Sequence, residues 1–110
     1  MAFDQARARL EALRDDEKRL TETIARSEQD LAALDDDVQL ALAGGKDDLA
    51  RFALRRLIPR RKELAQLRAQ LTARTTEAAG LGERVTQQQS QLDALRTRVR
   101  EGKAALIAHF

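Results

Sequence analysis

The feature that most constrains this chain is a Gly44-Gly45 pair set between two long runs of heptad-spaced apolar residues. In the first run, positions a are Phe3, Leu10, Glu17, Ile24, Leu31 and Val38. Positions d are Ala6, Leu13, Leu20, Ser27, Leu34 and Ala41, so ten of these twelve residues are apolar. In the second run the a positions are Ala50, Leu57, Leu64, Leu71, Ala78, Val85, Leu92, Val99 and Leu106, all apolar. The d positions are Ala53, Arg60, Leu67, Arg74, Leu81, Gln88, Leu95, Gly102 and His109, of which four are apolar. A 3.5-residue period sustained this long belongs to a coiled-coil seam, not to one face of a globular helix.

Folding the chain at the glycine pair puts both seams into antiparallel register. The a layers become Val38–Ala50, Leu31–Leu57, Ile24–Leu64, Glu17–Leu71, Leu10–Ala78 and Phe3–Val85. The d layers become Leu34–Ala53, Ser27–Arg60, Leu20–Leu67, Leu13–Arg74 and Ala6–Leu81. One fold point aligns both sets, which predicts an all-α, antiparallel coiled-coil hairpin with unequal arms. It forms a single domain over residues 1–110, with helices over 2–43 and 47–109 and a turn over 44–46. Polar Ser27 against Arg60, and Glu17 within about a turn of Arg74, cost stability but fix register. Gly44 is expected to take the left-handed conformation that ends a helix, and Asp47 and Asp48 complement the positive end of the next one. Pro59 falls outside the seam and predicts a kink. Gly80 and Gly82 weaken the helix, and a break there would give a three-helix bundle instead.

Composition agrees with long helices: 35% of residues are charged, three are Phe, and Trp and Tyr are absent. So little aromatic bulk would hardly build a compact globular core. No Cys is present, which excludes disulfides, thiolate metal sites and cysteine nucleophiles. No apolar run suits a membrane span or a signal peptide, so a cytoplasmic protein is expected. Residues 1–43 hold six Lys/Arg against eleven Asp/Glu, while residues 44–110 hold fourteen against seven. Arms of opposite sign suit side-by-side packing, with Asp35, Asp36 and Asp37 expected across from Arg51, Arg55 and Arg56.

Nothing in this pattern supplies catalysis. Ser27 and Ser90 have no nearby base, and His109 is the sole histidine, read as a polar seam or terminal residue. Three consecutive aspartates splay around a helix and make a poor cation site, so no enzyme activity, metal or cofactor is expected. The run Arg55, Arg56, Arg60, Arg61 and Lys62 is the charged feature with functional potential, for anionic lipid or a partner protein. Its blander reading is a solvated face balancing the acidic arm. Nucleic acid is disfavoured, because a basic zipper region needs an uninterrupted helix leading into a parallel coil. The second helix also outruns the first. Residues from about 88 onward lack a partner in the chain yet carry Leu92, Leu95, Val99 and Leu106, which predicts self-association, a closed dimer in preference to a filament.

The stretch Leu40-Ala41-Leu42-Ala43-Gly44-Gly45-Lys46-Asp47-Asp48-Leu49-Ala50-Arg51-Phe52-Ala53-Leu54 resembles the hairpin tip of the phage shock protein A family, with Asp48, Leu49, Ala50 and Arg51 at its centre. Leu95-Arg96-Thr97-Arg98 and Ala104-Ala105-Leu106-Ile107-Ala108-His109 are similar to the end of that family's long hairpin. The family has the architecture of ESCRT-III proteins, which polymerise on membranes; some members also restrain a AAA+ transcription activator. The resemblance therefore implies a bacterial, non-enzymatic scaffold for membrane maintenance under stress, peripheral at the inner face of the membrane. The alternative is a cytosolic adaptor that regulates a AAA+ activator or a longer relative. Three departures are apparent: no N-terminal amphipathic helix, no helices after the hairpin, and a longer, more basic Arg55–Lys62 stretch holding Pro59.

Overall fold

The computed structural model describes residues 2–109, so the outermost residues of the predicted domain, Met1 and Phe110, lie outside the described residues. The chain forms two helices, α1 (Phe3–Ala43) and α2 (Asp47–His109), packed against each other in a rod of 95 × 19 × 14 Å. This is the all-α hairpin with unequal arms. Its length is set by α2, whose 63 residues reach about 95 Å at ~1.5 Å per residue. α1 begins at Phe3, with Ala2 extended ahead of it, one residue later than predicted.

The turn is a Schellman closure. Gly45 N–H donates to the Leu42 carbonyl at 3.1 Å, and Lys46 N–H donates to the Ala41 carbonyl at 2.8 Å. The left-handed residue is Gly45, at φ 68°, and not Gly44 as expected. Gly44 sits at φ −84° because its N–H still makes the helical bond to Leu40, at 3.0 Å. α1 ends at Ala43 as expected, with only the left-handed position moved from Gly44 to Gly45. The Lys46 carbonyl then accepts the Ala50 N–H, and Asp47 and Asp48 occupy the first turn of α2, where their charge meets the helix dipole.

Burial follows the heptads. Every predicted seam residue of α1 is buried or half-buried, and so is every predicted seam residue of α2 from Ala50 to Leu92. Two apolar clusters form. One joins Ala6, Leu10 and Leu13 to Ala78 and Leu81, with Val85 packed against it. The other joins Leu34 and Val38 to Ala53 and Leu57, with Leu31 alongside. Each contains both members of predicted layers: Leu10–Ala78 and Ala6–Leu81 in the first, Leu34–Ala53 and Leu31–Leu57 in the second. Large against small recurs in these layers, since an alanine leaves room for the facing leucine.

Polar seam positions hold the middle of the rod. Arg60 leaves the seam to pair with Asp30 at 3.1 Å, past the half-buried Ser27. Arg74 pairs with Asp16 at 3.6 Å, not with Glu17, which instead accepts a bond from the Thr75 hydroxyl at 3.3 Å. Arg9–Glu77 and Arg68–Glu28, each at 3.1 Å, join the helices along the two flanks of the seam. All of these side chains remain substantially exposed, so they select register more than they add stability.

α2 is one helix throughout. Pro59 lies inside it at an exposed, non-seam position, where the helical bond that proline cannot donate to the Arg55 carbonyl is lost away from the packed seam. Gly80 and Gly82 do not break it either, and the three-helix alternative does not form.

Candidate functional site

The two helices expose apolar surface at opposite ends of the rod. The first such surface is the overhang. α1 begins at Phe3, opposite Val85, so α2 beyond about residue 88 has no facing helix among the described residues. Leu92 is half-buried, while Leu95, Val99 and Leu106 are 56, 51 and 60% exposed. Leu92, Leu95 and Val99, with Arg96 and Arg100, line an open groove of about 520 Å³. The four predicted association residues therefore fall on one continuous stripe, which prolongs the hairpin's own seam past the end of α1.

The second surface is the tip, and sequence reasoning missed it. Leu40, Leu49 and Phe52 are exposed around a groove of about 380 Å³ floored by Ala41, Gly44 and Ala53 and edged by Asp37, Lys46 and Arg56. Leu40 at 72% and Phe52 at 60% are among the most exposed large apolar residues described. Leu42, Leu54 and Ile58 are exposed as well, on the opposite flank by heptad position. The signal was present, because all six occupy non-seam positions where a solvated helix would carry polar residues. The heptad pattern is carried by the seam positions alone and does not reveal these six. Within the tip motif, Asp48, Leu49 and Arg51 are exposed and Ala50 is buried between the helices.

The basic run is not a single patch. Consecutive helical residues point about 100° apart, so its members separate. Arg56 and Arg60 lie on the flank that faces Asp30 and Asp37, and the four residues border one depression. Arg55, Arg61 and Lys62 lie on the outer side with Arg51, interleaved with Leu54 and Ile58, and all six are exposed. The expected pairing of Asp35, Asp36 and Asp37 with Arg51, Arg55 and Arg56 does not form, and none of these six makes an ion pair within 4.0 Å among the described residues. Arg51 and Arg55 point outward from the hairpin. Only Asp37 and Arg56 border the same groove, without contact.

The described residues hold no group of three or more His, Cys, Asp or Glu placed to bind a metal ion. Ser90 is exposed on α2, and His109 lies in its last turn. No described helix is long and apolar enough to cross a membrane. Comparison with protein-family models, with curated proteins and with solved structures finds no match.

Proposed function

We propose that this chain is a non-enzymatic, self-associating coiled-coil scaffold. One observation carries the reading: an apolar seam that is covered by α1 as far as Val85 continues uncovered through Leu92, Leu95, Val99 and Leu106. A helix with such a stripe in water is unfavourable and frays unless a partner covers it. The likeness of the tip motif, Asp48 to Arg51, to the phage shock protein A family supports a role in membrane maintenance at the inner face of the membrane. Arg51, Arg55, Arg61 and Lys62, with Leu54 and Ile58 between them, supply a basic and apolar outer face suited to anionic headgroups.

Light-scattering mass with and without liposomes tests both parts. The scaffold reading expects a mass above that of one 12.3 kDa chain at micromolar concentration, and salt-sensitive flotation with anionic but not neutral vesicles. Neutralising Arg51, Arg55, Arg61 and Lys62 together abolishes flotation if the face binds lipid, while neutralising Arg56, on the other flank, does not. Flotation that survives the combined change, or survives high salt, reduces the basic run to a solvated face.

The exposed tip favours a second reading, an adaptor that docks a partner protein such as a AAA+ activator or a longer relative. Leu40, Leu49 and Phe52 form a groove that no other described residue fills. An adaptor of this kind stays monomeric alone and ignores lipid.

A further inference from the structure

We infer that the overhang binds the overhang of a second copy, antiparallel, with Val99 on the two-fold axis. This deepens the scaffold reading and rests on it.

The geometry follows from the pairing rule that the hairpin itself obeys. Applied to two copies of residues 88–109, that rule allows few registers. With Val99 facing Val99, Leu92 faces Leu106 of the second copy and Leu106 faces Leu92. In the alternate layers, Leu95 faces Gly102 and Gln88 faces His109. This register uses the exposed stripe from Leu92 to Leu106 and stops where α1 begins to cover α2. Sliding by half a heptad to place Leu95 on the axis would set Leu106 of the second copy against Val85 and His109 against Leu81. Those positions are already packed by α1. Sliding the other way puts Gly102 against Gly102 on the axis, where neither glycine offers a side chain to fill the seam.

Orientation follows from the same residues. A parallel pair sets Gly102 against Gly102 and leaves a void in the seam, since each glycine lacks even a Cβ. The antiparallel pair fills each with a leucine, as Leu10 fills the space beside Ala78 and Leu34 that beside Ala53. A two-fold contact of this kind closes on itself and does not propagate.

Charge adds a signature. Residues 88–109 carry Arg96, Arg98, Arg100 and Lys103 against Asp93 and Glu101. In the hairpin, Arg9 and Glu77 meet across one flank of the seam. The equivalent site in the dimer brings Arg98 against Arg98. Like charges at the axis make salt strengthen this association, which is opposite in sign to binding of an anionic surface.

The chain has no cysteine, so single introduced thiols report the register directly. The test uses the full chain at micromolar concentration with a short bifunctional thiol reagent. Val99→Cys is expected to crosslink to itself. Leu95→Cys should not, but a mixture of Leu95→Cys and Gly102→Cys should. Val99→Glu is expected to halve the mass in light scattering while the thermal melt of the hairpin is retained, because Val99 touches no part of α1. Raising salt from 50 to about 500 mM should tighten the unmutated dimer severalfold. Self-crosslinking of Leu95→Cys overturns the antiparallel register, as does crosslinking of Val99→Cys to Phe52→Cys, which would signal head-to-tail docking on the tip. In either case the scaffold reading stands and only this pairing falls. A chain that remains monomeric at high micromolar concentration removes both.

Discussion

At the scale of single residues, the hairpin turns on Gly45 and Leu13. Gly45 holds a left-handed φ of 68° that closes the Schellman bonds, whereas Gly44 does not. Gly45→Ala is expected to cost about 1–2 kcal/mol. Gly44→Ala should be close to neutral or stabilising, since its Cβ would meet the Leu40 carbonyl oxygen at an ordinary 3.5 Å. Urea denaturation of the two variants checks the contrast. Leu13 is the largest side chain that is fully buried, at 0% exposure. Leu13→Ala should destabilise by roughly 2–4 kcal/mol, near the low end if the two helices close the gap. Leu40→Ala, on the exposed tip, should stay within about 0.5 kcal/mol. A melt in which Leu40 mattered as much as Leu13 would place the tip inside a core that the monomer lacks.

At the scale of the helices, α2 carries four residues that oppose helix formation, Pro59, Gly80, Gly82 and Gly102, and remains continuous. Gly80 and Gly82 have open space where a Cβ would stand. Replacing each with Ala should raise stability by up to about 1 kcal/mol, read as an increase in the denaturation midpoint. Pro59 is exposed and outside the seam, so Pro59→Ala restores a helical bond without disturbing packing and should add about 1–3 kcal/mol. No gain at Pro59 would mean that the helix has already absorbed the lost bond by bending there. The ion pairs that join the helices work differently. A double-mutant cycle on Arg9 and Glu77, both near 45% exposed, is expected to return less than about 1 kcal/mol and to shrink with salt.

At the scale of the whole molecule, the rod is 95 Å long and bears apolar surface at both ends with a charged, paired middle. Two rods joined through about 22 residues overlap by roughly 33 Å, so a dimer through the overhangs should be roughly 155–160 Å long. Small-angle scattering distinguishes this from side-by-side packing, which would leave the maximum dimension near that of one rod. The dimer also leaves both tips free, facing outward at its far ends. A scaffold built this way presents two identical tip grooves at a fixed spacing, which suits it to bridging two copies of whatever the tip receives.

The sequence alone determined the helices, the fold point, the layer pairing and the overhang. These follow from the 3.5-residue apolar period and from the glycine pair, both local properties that a linear reading captures. Leu10 with Ala78 and Leu34 with Ala53 share clusters because the seam pattern leaves them no other register. Only the folded pair of helices decided which charges meet. Arg60 took Asp30 and Arg74 took Asp16, while Asp35, Asp36 and Asp37 formed no ion pair with Arg51, Arg55 or Arg56. Side-chain direction around each helix governs such pairs, and one residue of offset moves a charge by about 100°. For the same reason a basic run continuous in sequence separated onto different sides of α2. The tip groove was likewise invisible to the heptads, because Leu40, Leu49 and Phe52 come together only when the turn brings the ends of two helices side by side.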